Sequence, residues 1–258
     1  MRPTTVRYGP DRAQVAEVWR PEAGRDPLPV VVLIHGGFWH QHFTKRLMHR
    51  LARAVVSRGW MAYNLEYRRV GPFGGGGWPG TFEDVSDAID ALSRVEDVDH
   101  QQVATCGHSA GGQLALWAAS SRSTGDAERP PPLVEVCAAA SLAGVVDLAA
   151  AAHQFVGRGA VQTLMGGGPD AVPDRYRLGS PASLLPVGKP QLLLHGVPDR
   201  SVPAALSEHY AESAVSLGDP ARYVPLPGVG HMDLISGRGT PFRELTAWLD
   251  SVFGAPCT

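Results

Sequence analysis

The chain has 258 residues, of which 44% are hydrophobic and 19% are charged, and its formal net charge is -2. This length suits one α/β domain with a sizeable core, and the small charge gives no electrostatic reason to expect a nucleic acid or an anionic membrane as a partner. Three widely spaced cysteines, Cys106, Cys137 and Cys257, exclude a disulfide framework and a CxxC metal site. The chain opens on no apolar h-region and contains no run long enough for a membrane span, so we expect a cytoplasmic protein with free thiols.

Strand patterns and helical patterns alternate along the chain. Residues 14–19 predict a first strand at an antiparallel edge, and the apolar run VVVLI at 30–34 predicts a strand that is buried on both faces. Apolar residues at helical spacing predict a helix over 44–58 that ends before Gly59. Further strands are predicted at 60–67, 103–106, 134–140, 191–194 and 221–226, and further helices at 81–95, 110–120, 204–217 and 241–253. In the 81–95 helix, we expect Thr81 to be the N-cap and Asp84 to favour the helix dipole.

This alternation predicts βαβ units, and therefore a mostly parallel central sheet with helices on both faces. Two segments depart from the pattern. Residues 122–132 are polar and rich in proline, which predicts a surface loop, and residues 147–185 are too long for a plain connection between strands. We interpret 147–185 as a small helical, cap-like insertion within a single domain that covers residues 1–258.

The segment Gly107-His108-Ser109-Ala110-Gly111 matches the pattern G-x-S-x-G. The pattern lies between a predicted strand and a predicted helix, where a sharp turn would hold a serine hydroxyl above the sheet. Small residues are needed around such a turn because larger ones would clash. We therefore predict that Ser109 is a nucleophile at the N-terminus of the following helix.

Glycines directly after the 30–34 strand indicate an oxyanion hole, in the segment HGGFW at 35–39. Backbone N–H groups can approach a substrate closely there because glycine carries no side chain. We expect the donors to be the amide of Gly37 or Phe38 together with the amide of Ala110.

A serine nucleophile needs a general base, which a carboxylate usually orients. His231, in a glycine-flanked loop after the last strand, is the candidate base, and Asp199, which follows the 191–194 strand, is the candidate acid. Asp147 and Asp233 are alternative acids, because Asp147 follows the preceding strand and Asp233 is two residues from the histidine. His35, His108 and His195 flank the same loops and are expected to pack or to donate hydrogen bonds.

Two other patterns do not indicate a binding site. His40 and His42 have no third ligand at a suitable spacing, so we expect no metal. The glycine-rich loop at 71–80 lacks the GK[ST] ending of a phosphate-binding loop, so we expect no nucleotide there. It contains Trp78, which would either pack on the core or form a wall of the site.

Together, HGGFW, GHSAGG and the segments around Asp199 and His231 occur in the order found in the α/β-hydrolase superfamily, which the chain resembles from about Val30 to its end. HGGFW is similar to the HGGxW motif of kynurenine formamidases and related small esterases. The segments NLEYRRVG at 64–71 and GGGGWPGTFEDV at 74–85 also resemble that esterase and formamidase branch. HGGFW departs from the HGGG motif of the hormone-sensitive-lipase group at Phe38. The resemblance implies an α/β-hydrolase fold and a serine hydrolase without cofactors.

The expected function is hydrolysis of small carboxylic esters through an acyl-enzyme, with a small acyl compound as the partner. An arylformamidase that cleaves N-formylkynurenine is the alternative, and an inactive binding protein with this fold is a third reading. Trp39 is expected to contact substrate, with Phe155 and Tyr176 as further aromatic candidates. Arginines that could bind a substrate carboxylate are Arg68, Arg69, Arg158 and Arg175. Oligomeric state is left open.

Overall fold

A single eight-stranded sheet organises the molecule, and its strands lie in the order β1-β2-β4-β3-β5-β6-β7-β8. The computed structural model describes residues 2–22, 26–120, 122, 124, 125 and 130–254. Strands β3 to β8 run parallel to one another, whereas β2 is antiparallel to both β4 and β1. The strands are β1 (Thr4–Arg7), β2 (Val15–Trp19), β3 (Leu28–Ile34), β4 (Met61–Leu65), β5 (Val98–His108), β6 (Ala138–Leu142), β7 (Gln191–Gly196) and β8 (Ala221–Leu226).

Eight α-helices occur in the described part of the chain. They are α1 (His49–Val56), α2 (Gly80–Asp90), α3 (Ala110–Ala119), α4 (Leu148–His153), α5 (Ala160–Met165), α6 (Pro173–Gly179), α7 (Ala204–Ser216) and α8 (Gly239–Phe253). Helices α1 and α8 pack on one face of the sheet, and α2, α3 and α7 pack on the other. The mostly parallel sheet with helices on both faces is therefore confirmed.

Strand β3 shows why the chain needs two helical layers. Val30, Val32 and Ile34 belong to the core on the α2–α3 side, and Val31 and Leu33 belong to the core on the α1–α8 side. All five side chains are fully buried. Successive side chains of a strand point to opposite faces, so a continuous apolar run requires cover on both sides.

Several predicted boundaries were wrong at places where the local sequence carries little apolar signal. Strand β1 was not predicted, because its four residues, TTVR, are mostly exposed and pair only with β2. The predicted strand at 134–140 begins only at Ala138, and β5 extends beyond the predicted 103–106 through polar residues at its start. The predicted helix at 44–58 begins as a 3-10 turn, Lys45–Met48, before α1.

Insertion 147–185 contains three helices between β6 and β7, α4 to α6, together with 3-10 turns at Val156–Gly159 and Pro181–Leu184. Its helical character was therefore predicted correctly. Part of the predicted surface loop at 122–132 lies outside the described residues, and so does Cys257. Cys106 is fully buried in β5, and burial raises the pKa of its thiol to about 12.

The start of helix α2 differs from the prediction. Pro79 occupies the N-cap position, and Thr81 lies inside the helix, where its hydroxyl accepts from the Gly77 amide and donates to the Arg68 carbonyl. Asp84 is fully buried and accepts hydrogen bonds from Arg68, through Nε, Nη2 and the backbone amide, and from Nε2 of Gln14. The carboxylate thus joins α2 to the segment after β4 rather than serving the helix dipole.

Removing this carboxylate should destabilise the protein strongly, because the partly buried guanidinium of Arg68 and the buried amide of Gln14 would both lose their acceptor. We expect Asp84→Ala to lower the free energy of unfolding by about 3–5 kcal/mol. Asp174→Ala is the matched control. It breaks an exposed pair with Arg177 and should cost less than about 1 kcal/mol. Chemical denaturation of both variants measures the difference, and equal losses would contradict the assignment.

Candidate active site

Ser109 occupies the turn between β5 and α3 with a strained backbone, at φ 55° and ψ -120°. The residue is 2% exposed, and its amide donates to the carbonyl of Leu142 on the neighbouring strand β6. Non-glycine residues rarely adopt a positive φ, and such strain persists only where the surroundings enforce it. The predicted sharp strand-to-helix turn is therefore present at Ser109.

The neighbours of this turn must be small. A Cβ atom on Gly107 would overlap the carbonyl oxygen of Gly111, and a Cβ atom on Gly111 would overlap the carbonyl of Ile34 at the end of β3. Backbone therefore contacts backbone on both sides of the serine. This packing is the physical reason for the glycines of the G-x-S-x-G pattern.

His231 and Asp199 form a short hydrogen bond at the same edge of the sheet. His231 follows β8, Asp199 follows β7, and Nδ1 of the imidazole lies 2.6 Å from Oδ2 of the carboxylate. The Asp199 side chain is fully buried, whereas the His231 side chain keeps 15% of its surface exposed. Because Nδ1 is occupied by the carboxylate, Nε2 is the nitrogen that is left to exchange protons with a substrate or a serine.

Asp199 is held in its ionised form. Burial alone would raise its pKa, but hydrogen bonds from His195, His231 and the amides of Val202 and Ser201 hold the pKa far below its ordinary value. His195 itself is fully buried, and its Nδ1 lies 2.8 Å from the hydroxyl of Ser207. An anionic Asp199 can orient the His231 ring and can stabilise its protonated form.

His108 links the serine turn to the histidine loop. Its Nε2 lies 3.0 Å from the carbonyl oxygen of His231, and the two imidazole rings are 4.5 Å apart. Burial, together with the charge of His231, lowers the pKa of His108 to about 3. His108 is therefore a neutral donor that anchors the backbone of His231, which agrees with its predicted hydrogen-bonding part.

The two alternative acids have other partners. Asp147 caps helix α4, where its carboxylate accepts from the amide of Ala150 at 2.9 Å. Asp233 accepts from the amide of Gly230 at 2.9 Å and so closes the 3-10 turn His231–Ile235. Of the three aspartates, only Asp199 has a hydrogen bond to the His231 ring among the contacts described.

The loop after β3 lies against Ser109. A Cβ atom on Gly36 would be 2.9 Å from Cβ of Ser109, so these two residues nearly touch. Gly37, at φ 108°, and Phe38, at φ 51°, turn the backbone, and within the described residues neither amide donates to a backbone acceptor. Ala110 is the first residue of α3, where helix N–H groups lack intrahelical partners. These amides are the donors available for an oxyanion hole.

Trp39, the predicted substrate contact, lies beneath the surface of the site. Its side chain is fully buried in the core, and the indole Nε1 donates to Oε1 of Gln113 on α3 at 3.2 Å. Gln113 in turn donates to the carbonyl of Gly179. Trp39 therefore fixes the loop after β3 to helix α3. The structural role of Gln113 was not predicted from the sequence, because a single polar residue in an apolar helix forms no recognisable pattern.

The other aromatic and basic residues that were candidates for substrate binding differ in how far they are buried. Tyr176 and Trp78 pack in the core, whereas Phe155 is 70% exposed in the insertion. Arg68 is committed to Asp84, Arg69 pairs with Glu66 at 3.2 Å, and Arg175 donates to the carbonyl of Met165. Arg158 is the exposed arginine of the four, and its φ is 55°.

Neither a metal centre nor a membrane helix is found in the described residues. No three histidine, cysteine or acidic side chains converge there as ligands, and His40 and His42 contact each other through their rings, 4.6 Å apart. No helix in the described ranges combines the length and the apolar character needed to cross a membrane.

Comparisons with known proteins agree with this geometry. A family model described as BD-FAE matches residues 16–213, a stretch that includes Ser109 and Asp199 and ends before His231. Esterase LipC of Mycobacterium tuberculosis is 30% identical over 254 aligned positions, which cover 91% of this chain and 61% of that protein. The chain spans about three fifths of the length of the curated relatives that it matches.

Solved structures show the same fold. A truncated carbohydrate esterase from gut microbiota superposes with a TM-score of 0.83 at 20% identity, covering 98% of this chain and 97% of that one. Esterase 2 of Thermogutta terrifontis, phosphonylated by sarin, superposes with a TM-score of 0.78 at 20% identity, covering 96% and 93%. The α/β-hydrolase fold predicted from the motifs is thereby confirmed.

The contact between Asp199 and His231 makes a kinetic prediction. Asp199→Asn should place an amide against Nδ1, favour the wrong imidazole tautomer and lower the kcat for ester hydrolysis by about 10⁴. Asp147→Asn and Asp233→Asn keep an acceptor for the Ala150 and Gly230 amides, and each should change kcat less than about threefold. Steady-state rates on p-nitrophenyl acetate decide between them, and a larger loss in either control would move the acid away from Asp199.

Proposed function

Because the chain belongs to the BD-FAE family, we propose that it is a serine hydrolase that cleaves small carboxylic esters by a Ser109-His231-Asp199 triad. The observation that carries this proposal is the 2.6 Å hydrogen bond between His231 and a buried, ionised Asp199, at the sheet edge where Ser109 occupies its strained turn. A buried carboxylate that orients a partly exposed imidazole beside such a serine is the arrangement that acyl transfer requires.

The mechanism follows from the positions of these groups. His231 Nε2 removes the proton of the Ser109 hydroxyl as the oxygen attacks the acyl carbon, and Asp199 stabilises the imidazolium that forms. The protonated imidazole then gives that proton to the leaving alcohol, and an acyl-enzyme remains. A water molecule, deprotonated by His231, attacks the acyl-enzyme, and the carboxylic acid leaves as Ser109 recovers its proton.

The oxyanion is assigned to the backbone amides. The N–H of Ala110, and that of Gly37 or Phe38, would donate to the oxygen that becomes negative in the tetrahedral intermediate. The N-terminus of α3 adds the positive end of the helix dipole. None of these donors has to be created during the reaction, since the surrounding packing already holds the loop and the helix.

The relatives and the cap-like insertion support a small acyl substrate. The relative that is 30% identical is named an esterase, which favours ester chemistry. We assign residues 147–185 as a cap on the same domain, since a Cβ atom on Gly157 would touch the ring of Phe38 in the oxyanion loop. Three short helices are too little chain to enclose a long lipid, so short acyl groups fit best.

An arylformamidase is the second candidate, and its support is the similarity of HGGFW to the HGGxW motif. A formyl group needs almost no acyl pocket. Arg68 and Arg69 do not support this candidate as groups that bind a substrate carboxylate, because they are paired with Asp84 and Glu66. A binding protein without activity is disfavoured, because such proteins typically lack the serine, the histidine or the oxyanion glycines.

Replacing the nucleophile tests the proposal directly. Ser109→Ala should lower kcat for p-nitrophenyl acetate by about 10³ or more, and a fluorophosphonate probe should no longer label the protein. Ser216→Ala, at an exposed position near the end of α7, is the control and should keep both activity and labelling. Circular dichroism checks that both variants are folded. Retention of most activity by Ser109→Ala would refute the assignment.

Substrate class is tested by competing acyl groups. We expect kcat/KM to be higher for p-nitrophenyl acetate and butyrate than for the decanoate or for N-formylkynurenine. A preference for the formamide of about a hundredfold, equivalent to about 2.7 kcal/mol of transition-state discrimination, would replace the ester assignment. A preference for decanoate would contradict both candidates and the short-acyl interpretation of the cap.

A further inference from the structure

His35 is buried directly before the oxyanion loop and lies outside the triad. It follows the last residue of β3, is fully buried, and precedes Gly36, where an added Cβ atom would lie 2.9 Å from Cβ of Ser109. A buried titratable side chain at this place raises the question of its charge, since charge near a developing oxyanion changes the barrier.

Both ring nitrogens of His35 face oxygen acceptors. Nδ1 lies 2.8 Å from the carbonyl oxygen of Gly36, and Nε2 lies 2.7 Å from Oε1 of Glu66. A carbonyl oxygen cannot donate, and neither can an ionised carboxylate. A neutral imidazole has only one N–H, so it would turn a lone pair toward one of these oxygens. Only the doubly protonated ring satisfies both contacts.

Glu66 is held as the anion that this arrangement needs. Burial alone would raise its pKa, but the hydrogen bond and charge of His35, the charge of Arg69 and the amide of Lys45 lower the pKa below its ordinary value. Arg69 lies 3.2 Å from the same Oε1 atom, and the Lys45 amide donates to Oε2 at 3.1 Å. The carboxylate is therefore surrounded by donors.

The ring of Tyr67 provides a favourable contact for a positive charge on His35. The two rings are stacked, with centroids 4.4 Å apart and planes 10° apart, and the Tyr67 hydroxyl donates to the His35 carbonyl at 2.9 Å. An aromatic face attracts a cation, and the attraction grows when both groups are removed from water. Tyr67 is fully buried as well.

We propose that His35 is an imidazolium that positions the oxyanion loop and supplies fixed positive charge beneath it. The Nδ1–H group holds the Gly36 carbonyl, which directs the following peptide units toward Ser109. With Arg69, two cations face the single carboxylate of Glu66, so the cluster carries a net positive charge. In a water-poor interior such a charge favours an oxyanion nearby. His35 acts through the loop and is a positioning residue, and this part of the proposal rests on the proposed ester hydrolysis.

His108 has different hydrogen-bond partners from His35, and this difference supports a positive charge on His35 alone. His108 also flanks Ser109 and is also buried, but its Nε2 is its one hydrogen-bonded nitrogen among the described contacts, and it bonds a carbonyl. No carboxylate contacts the His108 ring in those contacts. The two histidines beside the nucleophile thus have opposite charge states because their partners differ.

The first experiment measures the charge of His35 without any substrate. Long-range ¹H–¹⁵N correlation spectra of histidine-labelled protein, recorded at about pH 8 where an ordinary histidine is neutral, report the protonation of both ring nitrogens. We expect two protonated nitrogens for His35 and a neutral ring for His108. A neutral His35 in the wild-type protein would overturn the proposal, whether or not the protein hydrolyses esters.

The second experiment measures the consequence for catalysis. His35→Gln keeps a donor for Glu66 but removes the charge, and kcat on p-nitrophenyl acetate should fall about tenfold to a hundredfold with KM within about twofold. Labelling of Ser109 by a fluorophosphonate should slow by a similar factor. An unchanged kcat in a folded His35→Gln variant would overturn the positioning part.

A control at a partly buried histidine–glutamate pair separates this effect from the loss of such a pair in general. His49, at the start of α1, lies 2.8 Å from Glu17 and packs edge-on against Trp19, 5.3 Å away. We expect His49→Gln to keep kcat within about twofold, even if its melting temperature drops as much as that of His35→Gln. Equal kcat losses in the two variants would mean a general structural effect and would overturn the proposal. Absence of esterase activity in the wild-type protein would instead refute the proposed function.

Discussion

The contact of backbone with backbone around Ser109 is the constraint on which the rest of the site depends. Gly107, Gly111 and Gly36 bring β5, α3 and the end of β3 so close that a Cβ atom at any of them would meet a neighbouring main-chain atom. This closeness enforces the strained angles of Ser109, and it brings the loop after β3 and the N-terminus of α3 close to the serine. The glycines therefore create the geometry that the proposed triad would use.

Hydrogen bonds from three directions then fix the groups around that turn. His108 holds the backbone of His231, Asp199 holds its ring, and Trp39 holds the loop after β3 through Gln113. The side chains of His108, Asp199 and Trp39 are buried, so water competes weakly for these bonds. For the proposed reaction, such preorganisation would lower the barrier because little has to be reorganised when charge develops.

The sequence predicted those parts of the structure that depend on a local pattern of residues. Apolar runs such as 30–34 predicted buried strands, and the glycine-flanked Ser109 predicted its turn, because both signals lie within a few neighbouring residues. Strand β1 was not predicted, because it is short and exposed and its conformation depends on pairing with β2. The contact of Trp39 was not predicted for a related reason. Its indole donates a hydrogen bond to Gln113, which is 74 positions away, and only the fold brings the two residues together.

The order of the strands also sets the order in which the proposed triad can assemble during synthesis. Ser109 is translated well before Asp199 and His231, because Asp199 follows β7 and His231 follows β8, and both strands add to the sheet outward from β6. A nascent chain that ends in the 147–185 segment contains the proposed nucleophile but lacks the proposed base. On this proposal, the Ser109 hydroxyl stays unactivated until the last part of the sheet has been translated and has docked.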